Sequence, residues 1–258
     1  MPPLTYSTVV SRLRSAGCVF AEDEAQLILS TARTPDEAAA MVGRRVDGLP
    51  LEQVLGWAEF RGLRMTVEPG VFVPRRRTEF LVEQALAIGN GAAVVVDLCC
   101  GSGAVGAALA AALDGPELHA ADIHPAAVRC ARGNVAAYGG HVHEGDLFAA
   151  LPDSLRGRVD LLAANVPYVP TGEVALLPSE AREHEPLVAL DGGTDGLDVL
   201  RRVTAEAARW LALGGSLLVE ASERQVPLAA KAFTRGGLDV RLAVSTELGA
   251  NVLIGTLR

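Results

Sequence analysis

Two stretches of this 258-residue chain carry side chains whose types and spacing can do chemistry: Val94 to Gly106, VVVDLCCGSGAVG, and Asn165 to Tyr168, NVPY. In the first, Val94, Val95 and Val96 read as a buried parallel strand, since a continuous apolar run bounded by turn residues suits a sheet covered on both faces. Gly101 and Gly103 let the backbone bend sharply and let a ligand approach with no Cβ in the way. A helix from about Ala104 to Leu113 then aims its N-terminal N–H groups at that ligand. The result is a nucleotide-type site at the carboxyl end of a strand, where open α/β sheets bind ligands.

Gly101, Gly103 and Gly106 satisfy G-x-G-x-x-G, and Asp122 ends the next strand, ELHAAD. By itself that pattern fits a dinucleotide-binding dehydrogenase as well as an S-adenosylmethionine site. Three features tilt it. Asp97 closes the strand before the turn, the glycine unit lies mid-chain behind a separate N-terminal region, and NVPY follows a later strand. The reading becomes S-adenosylmethionine. Asp122 fits the ribose role, because a carboxylate accepts both hydroxyl hydrogens, and each such charge-assisted bond contributes about 1.5–3 kcal/mol. Asp97 is placed to position the turn and the cofactor's amino-acid end.

The segments LEQVLGWAEFRGLRMTVEPGVFVPRRRTE, VVDLCCGSGAVG, ADIHPAAVRCARGN, GDLF, NVPY and EPLVALDGGTDGL occur in the order seen in the protein-(glutamine-N5) methyltransferases, which the chain resembles from Leu51 to Glu220. Those enzymes methylate a glutamine of peptide-chain release factors or of a ribosomal protein. The resemblance implies a cofactor site at Asp97, Cys99, Gly101, Gly103, Asp122, Asp146, Leu147 and Asn165, with the adenine beside Asp146 and Leu147. It implies a reaction site at Asn165, Val166, Pro167 and Tyr168. There the Asn165 oxygen and the Val166 carbonyl each accept one N–H of the substrate amide, Pro167 stiffens the turn, and Tyr168 packs on the substrate group. The chain departs from the family at three places. Val166 stands where the family has proline, Cys99 where it has glycine, and Arg76-Arg77 where it has Pro-Glu.

Composition narrows the partners. The net charge of −8 disfavours nucleic acid, whose affinity rests on neutralising phosphates. Cys18, Cys99, Cys100 and Cys130 match no zinc spacing. His119, His124, His141 and His143 share no metal-ligand pattern and read as surface or loop residues; no metal is expected. With no charged-then-apolar leader and no apolar run near 18 residues, the chain reads as soluble and cytoplasmic, with no membrane partner.

The elements that must position these residues follow in order. Ser7 or Thr8 is placed to cap a first helix to Ala16, EDEAQLILSTA is a second, and Thr34-Pro35-Asp36-Glu37 is a capping box for a third. Gly56 to Pro74 reads as a hairpin around Arg61-Gly62. Arg75 to Arg77 is either a solvated linker face or a contact for an acidic partner or RNA. Thr78 caps a helix over Glu79–Ile88. Strands follow over 117–122, 141–145 and 159–164, then a long loop from Val169 to Gly196 and a helix from Leu197 to Leu211 stopped by Gly214-Gly215. SLLVEA, a helix from Arg224, LDVRLAV and NVLIGTL finish the sheet, the last two strands antiparallel. The expected fold is α/β: a doubly wound, mostly parallel seven-stranded class I methyltransferase sheet, with a small all-α N-terminal domain joined by a β-hairpin. Expected domains are 1–50 for substrate recognition, 51–76 as the hairpin linker, and 77–258 for catalysis. The expected activity is S-adenosylmethionine-dependent methylation of a glutamine side chain in a protein. Methylation of an exocyclic or small-molecule amine, or a cofactor-binding regulatory protein without turnover, stays open.

Overall fold

The computed structural model describes residues 4–89 and 91–258. The chain opens with α1 (Tyr6–Ser15), α2 (Ala21–Thr31), α3 (Pro35–Val46) and the short α4 (Leu51–Leu55). A hairpin follows, β1 (Trp57–Phe60) and β2 (Leu63–Thr66), and then α5 (Glu79–Ile88). Next come β3 (Val94–Leu98), α6 (Ala104–Ala112), β4 (Glu117–Asp122), α7 (Pro125–Val135), β5 (His141–Glu144) and β6 (Val159–Ala164). The last part holds α8 (Ser179–His184), α9 (Asp198–Ala207), β7 (Leu211–Glu220), α10 (Val226–Arg235), β8 (Asp239–Ser245) and β9 (Ala250–Thr256).

Seven strands form one sheet in the order β5-β4-β3-β6-β7-β9-β8. β9 is antiparallel to both its neighbours and the other pairings are parallel. The chain runs outward from β3 through β4 to β5, then returns to lay β6 against the other side of β3. That reversal opens a crevice at the carboxyl ends of β3 and β6, the place where doubly wound sheets bind ligands. Side-chain alternation along β3 feeds both layers. Val94, Val96 and Leu98 pack with Trp210 and Phe233 under α9 and α10, while Val95 packs with Leu81 and Leu109 under α5 and α6. Asp97 shares the Val95 face, so its carboxylate points at α6.

The N-terminal helices have a core of their own, built from Val9, Leu13, Ala25, Ile28, Met41 and Val42. They are tied to the rest by Arg45. Its buried guanidinium donates to both Glu24 oxygens at 2.7 and 3.0 Å, to the Leu49 carbonyl at 2.9 Å and to Glu180 of α8 at 2.6 Å. No helix among the described residues is long and apolar enough to cross a membrane.

Several local expectations are corrected. Thr5, one turn ahead of Ser7 and Thr8, caps α1 by accepting the Thr8 N–H. Thr34 accepts the Glu37 N–H as expected, but the Glu37 carboxylate reaches back to the N–H of Arg33. Gly214-Gly215 do not stop a helix: α9 ends at Ala207, and the two glycines lie within β7 at a register shift opposite β6. There Gly214 donates to Leu257 and Gly215 accepts from it, so the sheet continues through the irregularity. The segment 51–55 is helical, a turn the apolar pattern was too short to reveal.

The histidines at the β4–β5 edge form a cluster. His119 Nδ1 and His143 Nε2 lie 2.9 Å apart with their rings stacked, the His141 ring is tilted against His119 at 5.2 Å, and Glu117 meets the other His119 nitrogen at 3.1 Å. Burial, then His119, His141 and Arg132, lower the His143 pKa. A group kept neutral in this way contributes stability above its unfolded pKa of about 6.5, and that contribution is lost as the pH falls toward its depressed folded value. Thermal melts of wild type and His143→Gln are therefore expected to diverge below about pH 6.5, the wild type losing more stability on acidification. A difference that does not change with pH would contradict this account. Comparing the two proteins cancels Asp97, Asp122 and Glu185, whose raised pKa values act in the opposite sense.

Candidate active site

Strand register brings the two chemically loaded stretches together. Leu98 pairs with Ala164 on one side and Ala121 on the other, so Cys99, Asn165 and Asp122 follow at one level. Asp122 pairs with Glu144, which puts Asp146 and Leu147 just beyond. These ends line one cavity of about 640 Å³, within the range that encloses a cofactor-sized ligand. Asp97, Cys99, Gly101, Asp122, Asp146, Leu147, Asn165, Val166, Pro167 and Tyr168 all contribute to its wall. Gly103 does not. A Cβ there would press on Ala131 and Val135 at 3.1–3.2 Å, so this glycine lets α7 sit close under the turn.

The turn is held by carboxylates. Asp97, 1% exposed, accepts the Gly106 N–H at 2.8 Å, so a protein carboxylate, and not only a ligand, uses the N-terminus of α6. Gly106 is needed for that approach, because a Cβ would stand 3.2 Å from both the Asp97 Cβ and its Oδ2. Asp122 accepts the Gly101 N–H at 2.9 Å on one oxygen and the His124 N–H at 2.8 Å on the other. Burial pushes Asp97 up to about 7, with the Asp122 charge adding to it, and burial raises Asp122 as well. Two carboxyl groups in a water-poor wall make a site that favours a positively charged ligand.

Asn165 follows β6. Its Nδ2 faces the Thr78 hydroxyl at 3.4 Å, and its Oδ1 is buried without a hydrogen-bond partner. Among the described residues only His124 Nδ1 and Trp210 Nε1 share that condition, and His124 also lines the cavity. A buried acceptor left unpaired costs about 1–3 kcal/mol, and this one belongs to a residue of the cavity wall, so it favours a ligand that brings a donor. Val166 is 1% exposed and packs into the core beneath α9. Its side chain therefore has the pocket that replacing a proline requires.

Sequence reasoning missed the groups that hold this corner. Thr78 stands at the N-cap position of α5 as expected but makes no side-chain capping bond; its hydroxyl donates to Glu220 at 2.8 Å. Two of the three consecutive arginines clamp buried carboxylates from the surface. Arg77 Nε donates to Glu220 at 2.8 Å and its Nη2 bonds the Tyr168 hydroxyl, which reaches Glu220 at 3.3 Å. Burial and the neighbouring Glu220 charge push Tyr168 up to about 12. Arg75 pairs with buried Glu185 at 2.5 Å, and the other Glu185 oxygen accepts the Val73 N–H at 3.1 Å. Asn134 pairs with Thr66 through both its side-chain groups and donates to the Ser102 carbonyl at 2.8 Å, fastening the hairpin to the turn.

The loop from Val169 to Gly196 is folded: a 3-10 turn over Thr171–Leu176, α8, and a second 3-10 turn over Leu187–Ala189. Its DGGTDG segment backs NVPY. Gly192 N–H donates to Val169 at 2.8 Å, and Gln225 holds the Tyr168 carbonyl at 2.8 Å. Gly192 and Gly196 are without Cβ atoms that would collide with the Pro167 and Tyr168 carbonyls.

Cys99 carries a strain that the turn does not need. Its φ is +54°, in the left-handed region that side chains other than glycine's avoid at a cost of about 1–2 kcal/mol. Burial raises its thiol pKa, and the thiol enters no hydrogen bond that glycine would forfeit. Cys99→Gly is expected to raise the melting temperature by about 2–4 °C per kcal/mol recovered, read by calorimetry; a lowered value would show that the side chain's packing outweighs the strain.

The comparisons agree with this geometry. The family model of the methyltransferase small domain matches residues 62–177. Release factor glutamine methyltransferase of Geobacter sulfurreducens is 40% identical over 208 residues, 79% of this chain and 72% of that protein. The 4-amino-L-phenylalanine/4-methylamino-L-phenylalanine methyltransferase of Streptomyces pristinaespiralis is 37% identical over 203 residues, 76% of this chain and 69% of that one. Among solved structures, a methyltransferase from Pyrococcus furiosus superposes with a TM-score of 0.58 at 15% identity, covering 76% of this chain and 90% of its own, a likeness of fold. With its cofactor-type crevice, its Asn-x-Pro-Tyr corner and relatives of this identity and coverage, the chain is an S-adenosylmethionine-dependent enzyme and belongs to the release factor glutamine methyltransferase family.

Proposed function

We propose that this chain methylates the side-chain nitrogen of a glutamine in a peptide-chain release factor. The observation that carries the reading is the buried, unpartnered Asn165 Oδ1, on a residue that shares the wall of the switch-point cavity with buried Asp97 and half-buried Asp122. The residues fit the cofactor. Asp122 has accepting capacity left on both oxygens after its two backbone bonds, enough for the ribose hydroxyls. Asp146 and Leu147 would hold the adenine, and Asp97, Cys99 and Gly101 would line the amino-acid end. Next to Gly101 the space is open, the nearest atom to a Cβ there being the Phe72 Cβ at 4.0 Å. When bound, S-adenosylmethionine supplies an electrophilic methyl group on a positively charged sulfur.

The chain's own residues do the rest. Asn165 Oδ1 and the Val166 carbonyl each accept one N–H of the glutamine amide, which orients the nitrogen and faces the positive charge that develops on it. Fixed acceptors of this kind need no reorganisation as charge appears. Pro167 stiffens the turn, Tyr168 closes the substrate side, and the product's extra proton leaves to water. Valine at 166 presents the same backbone carbonyl that proline would. Residues 1–50 form the substrate-recognition part: they reach the cavity rim at Pro50 and are braced on α8 through Arg45. Residues 51–76 are the linker and 77–258 the catalytic domain. The partner is a protein in the cytoplasm, and the net charge of −8 speaks against direct nucleic-acid binding.

Incubation with labelled cofactor and a peptide containing Gly-Gly-Gln is expected to place one methyl on the glutamine side chain, located by mass spectrometry. Asn165→Ala is expected to lower kcat by about 100- to 1,000-fold while largely keeping cofactor affinity. The similarity to the aminophenylalanine enzyme supports a second reading, an aromatic amine as acceptor. Turnover of 4-amino-L-phenylalanine with none of the peptide would replace the first reading with it.

Cofactor binding should depend on pH with a defined sign. Below about 7 the free protein holds a proton on Asp97, and a cationic ligand favours the ionised form. Affinity is therefore expected to fall as the pH drops through that value, with proton release on binding. Calorimetry in two buffers of different ionisation enthalpy reads the proton directly; Asp97→Asn should abolish the release, and an unchanged release would assign it elsewhere.

A further inference from the structure

Asn165 can act as an acceptor only if its oxygen, and not its NH₂, faces the cavity, and the backbone does not decide this. The decision lies in a buried relay. Glu220, the last residue of β7, is 3% exposed and is paired with Arg77. Its Oε1 accepts from Arg77 Nε at 2.8 Å and from the Tyr168 hydroxyl at 3.3 Å, and its Oε2 accepts from the Thr78 hydroxyl at 2.8 Å. A carboxylate held by an arginine has no proton to give, so the single Thr78 hydroxyl proton is committed to it. Thr78 Oγ1 can then offer Asn165 only lone pairs. The group 3.4 Å away must be Nδ2, and Oδ1 is turned to the opposite side, where it has no protein partner.

We propose that Glu220 and Thr78 are positioning residues for the reaction, fixing the orientation of the Asn165 amide through the chain Glu220–Thr78–Asn165. The proposal rests on the glutamine-methylation reading above and extends it to groups outside the Asn-Val-Pro-Tyr segment. The same carboxylate holds Tyr168, so one buried charge sets both ends of that segment. The chain of bonds also polarises: a hydroxyl donating to a carboxylate is a better acceptor, and an amide that donates to it carries more negative charge on its oxygen.

Glu220→Gln is the discriminating variant, because it keeps the side chain's shape and removes the charge that commits the Thr78 proton and pairs with Arg77. The new side chain turns its oxygen to Arg77 and its NH₂ to Thr78. Thr78 then accepts from it and donates its proton to Asn165, which rotates and presents NH₂ to the cavity. Expected for Glu220→Gln and Thr78→Val is a loss of kcat of about 100-fold or more on the Gly-Gly-Gln peptide. Cofactor affinity should stay within about threefold of wild type, a change of under ~0.7 kcal/mol. Thr78→Ser should retain most activity. Thr78→Val combined with Asn165→Ala should be no slower than Asn165→Ala alone, since both changes act through the one Asn165 amide.

A second readout needs no turnover. The chain has four asparagines, so a protein labelled with nitrogen-15 at asparagine gives few side-chain amide signals, and Asn165→Ala identifies the one to follow. That signal is expected to shift in Glu220→Gln and Thr78→Val and to stay in place in Thr78→Ser. Wild-type kcat in Glu220→Gln, equal activity in Thr78→Val and Thr78→Ser, or an unmoved signal in Glu220→Gln would overturn the relay. If the signal shifts as expected but wild type transfers no methyl to glutamine, the relay stands and the substrate reading fails.

Discussion

The bond between Asp97 and the Gly106 N–H is the constraint on which the site depends. It joins the end of β3 to the first turn of α6, so the glycine turn between them has both ends fixed. The bond needs a short side chain on β3, a helix start without a Cβ, and a strand whose alternation turns residue 97 toward that helix. All three are met here, and the same carboxylate then faces the cavity. A charge-assisted bond to a backbone amide offsets part of the cost of burying the group, and the pKa of about 7 records what it does not offset. A cationic ligand supplies the remainder, so ligand binding and the integrity of the turn are coupled through one side chain.

The crevice collects groups that a folded protein ordinarily satisfies. Asp97 and Asp122 are held away from water, Asn165 Oδ1 and His124 Nδ1 lack partners, and Cys99 and Leu147 sit at positive φ. Apart from the backbone bonds of the two carboxylates, these features cost stability. They are tolerated because the surrounding frame over-determines the backbone: the Asn134 clamp on Thr66 and Ser102, Glu185 between Val73 and Arg75, and the DGGTDG backing of the reaction loop. Stability is carried by the two apolar layers and the strand ladder, while the polar frame supplies position.

The arginines at 75–77 show how this chain differs from its family without leaving it. Arg77, one of the departures from the resembled pattern, is bound to Glu220 and to Tyr168 of the Asn-Val-Pro-Tyr segment. Arg76 remains exposed to solvent. A run of like charge in sequence is thus divided in space into two arginines tied to buried carboxylates and a third that only faces solvent, because a 3-10 turn over Arg76–Thr78 points consecutive side chains in different directions.

Much was legible in the sequence for a local reason. Apolar runs bounded by glycine marked the strands, Asp97 and Asp122 stood out as acids at strand ends, and Asn165-Val166-Pro167-Tyr168 was a compact string after a strand, so the fold class and the facing motifs followed from pattern alone. Boundaries failed where one local signal had two meanings. Gly214-Gly215 read as a helix stop and is a strand irregularity, and Thr78 read as a cap although its hydroxyl serves Glu220. The partners of Thr78, Arg77 and Asn165 lie 142, 143 and 87 residues away along the chain, and no spacing rule reaches that far. The sequence by itself determined which strands form and which of their ends bear the acids and the Asn-Val-Pro-Tyr string, because periodicity and turn residues act within a few positions. Only the tertiary structure decided which way the Asn165 amide faces and which carboxylate holds it, because a hydrogen bond's direction is set by whichever partner the fold brings within about 3 Å.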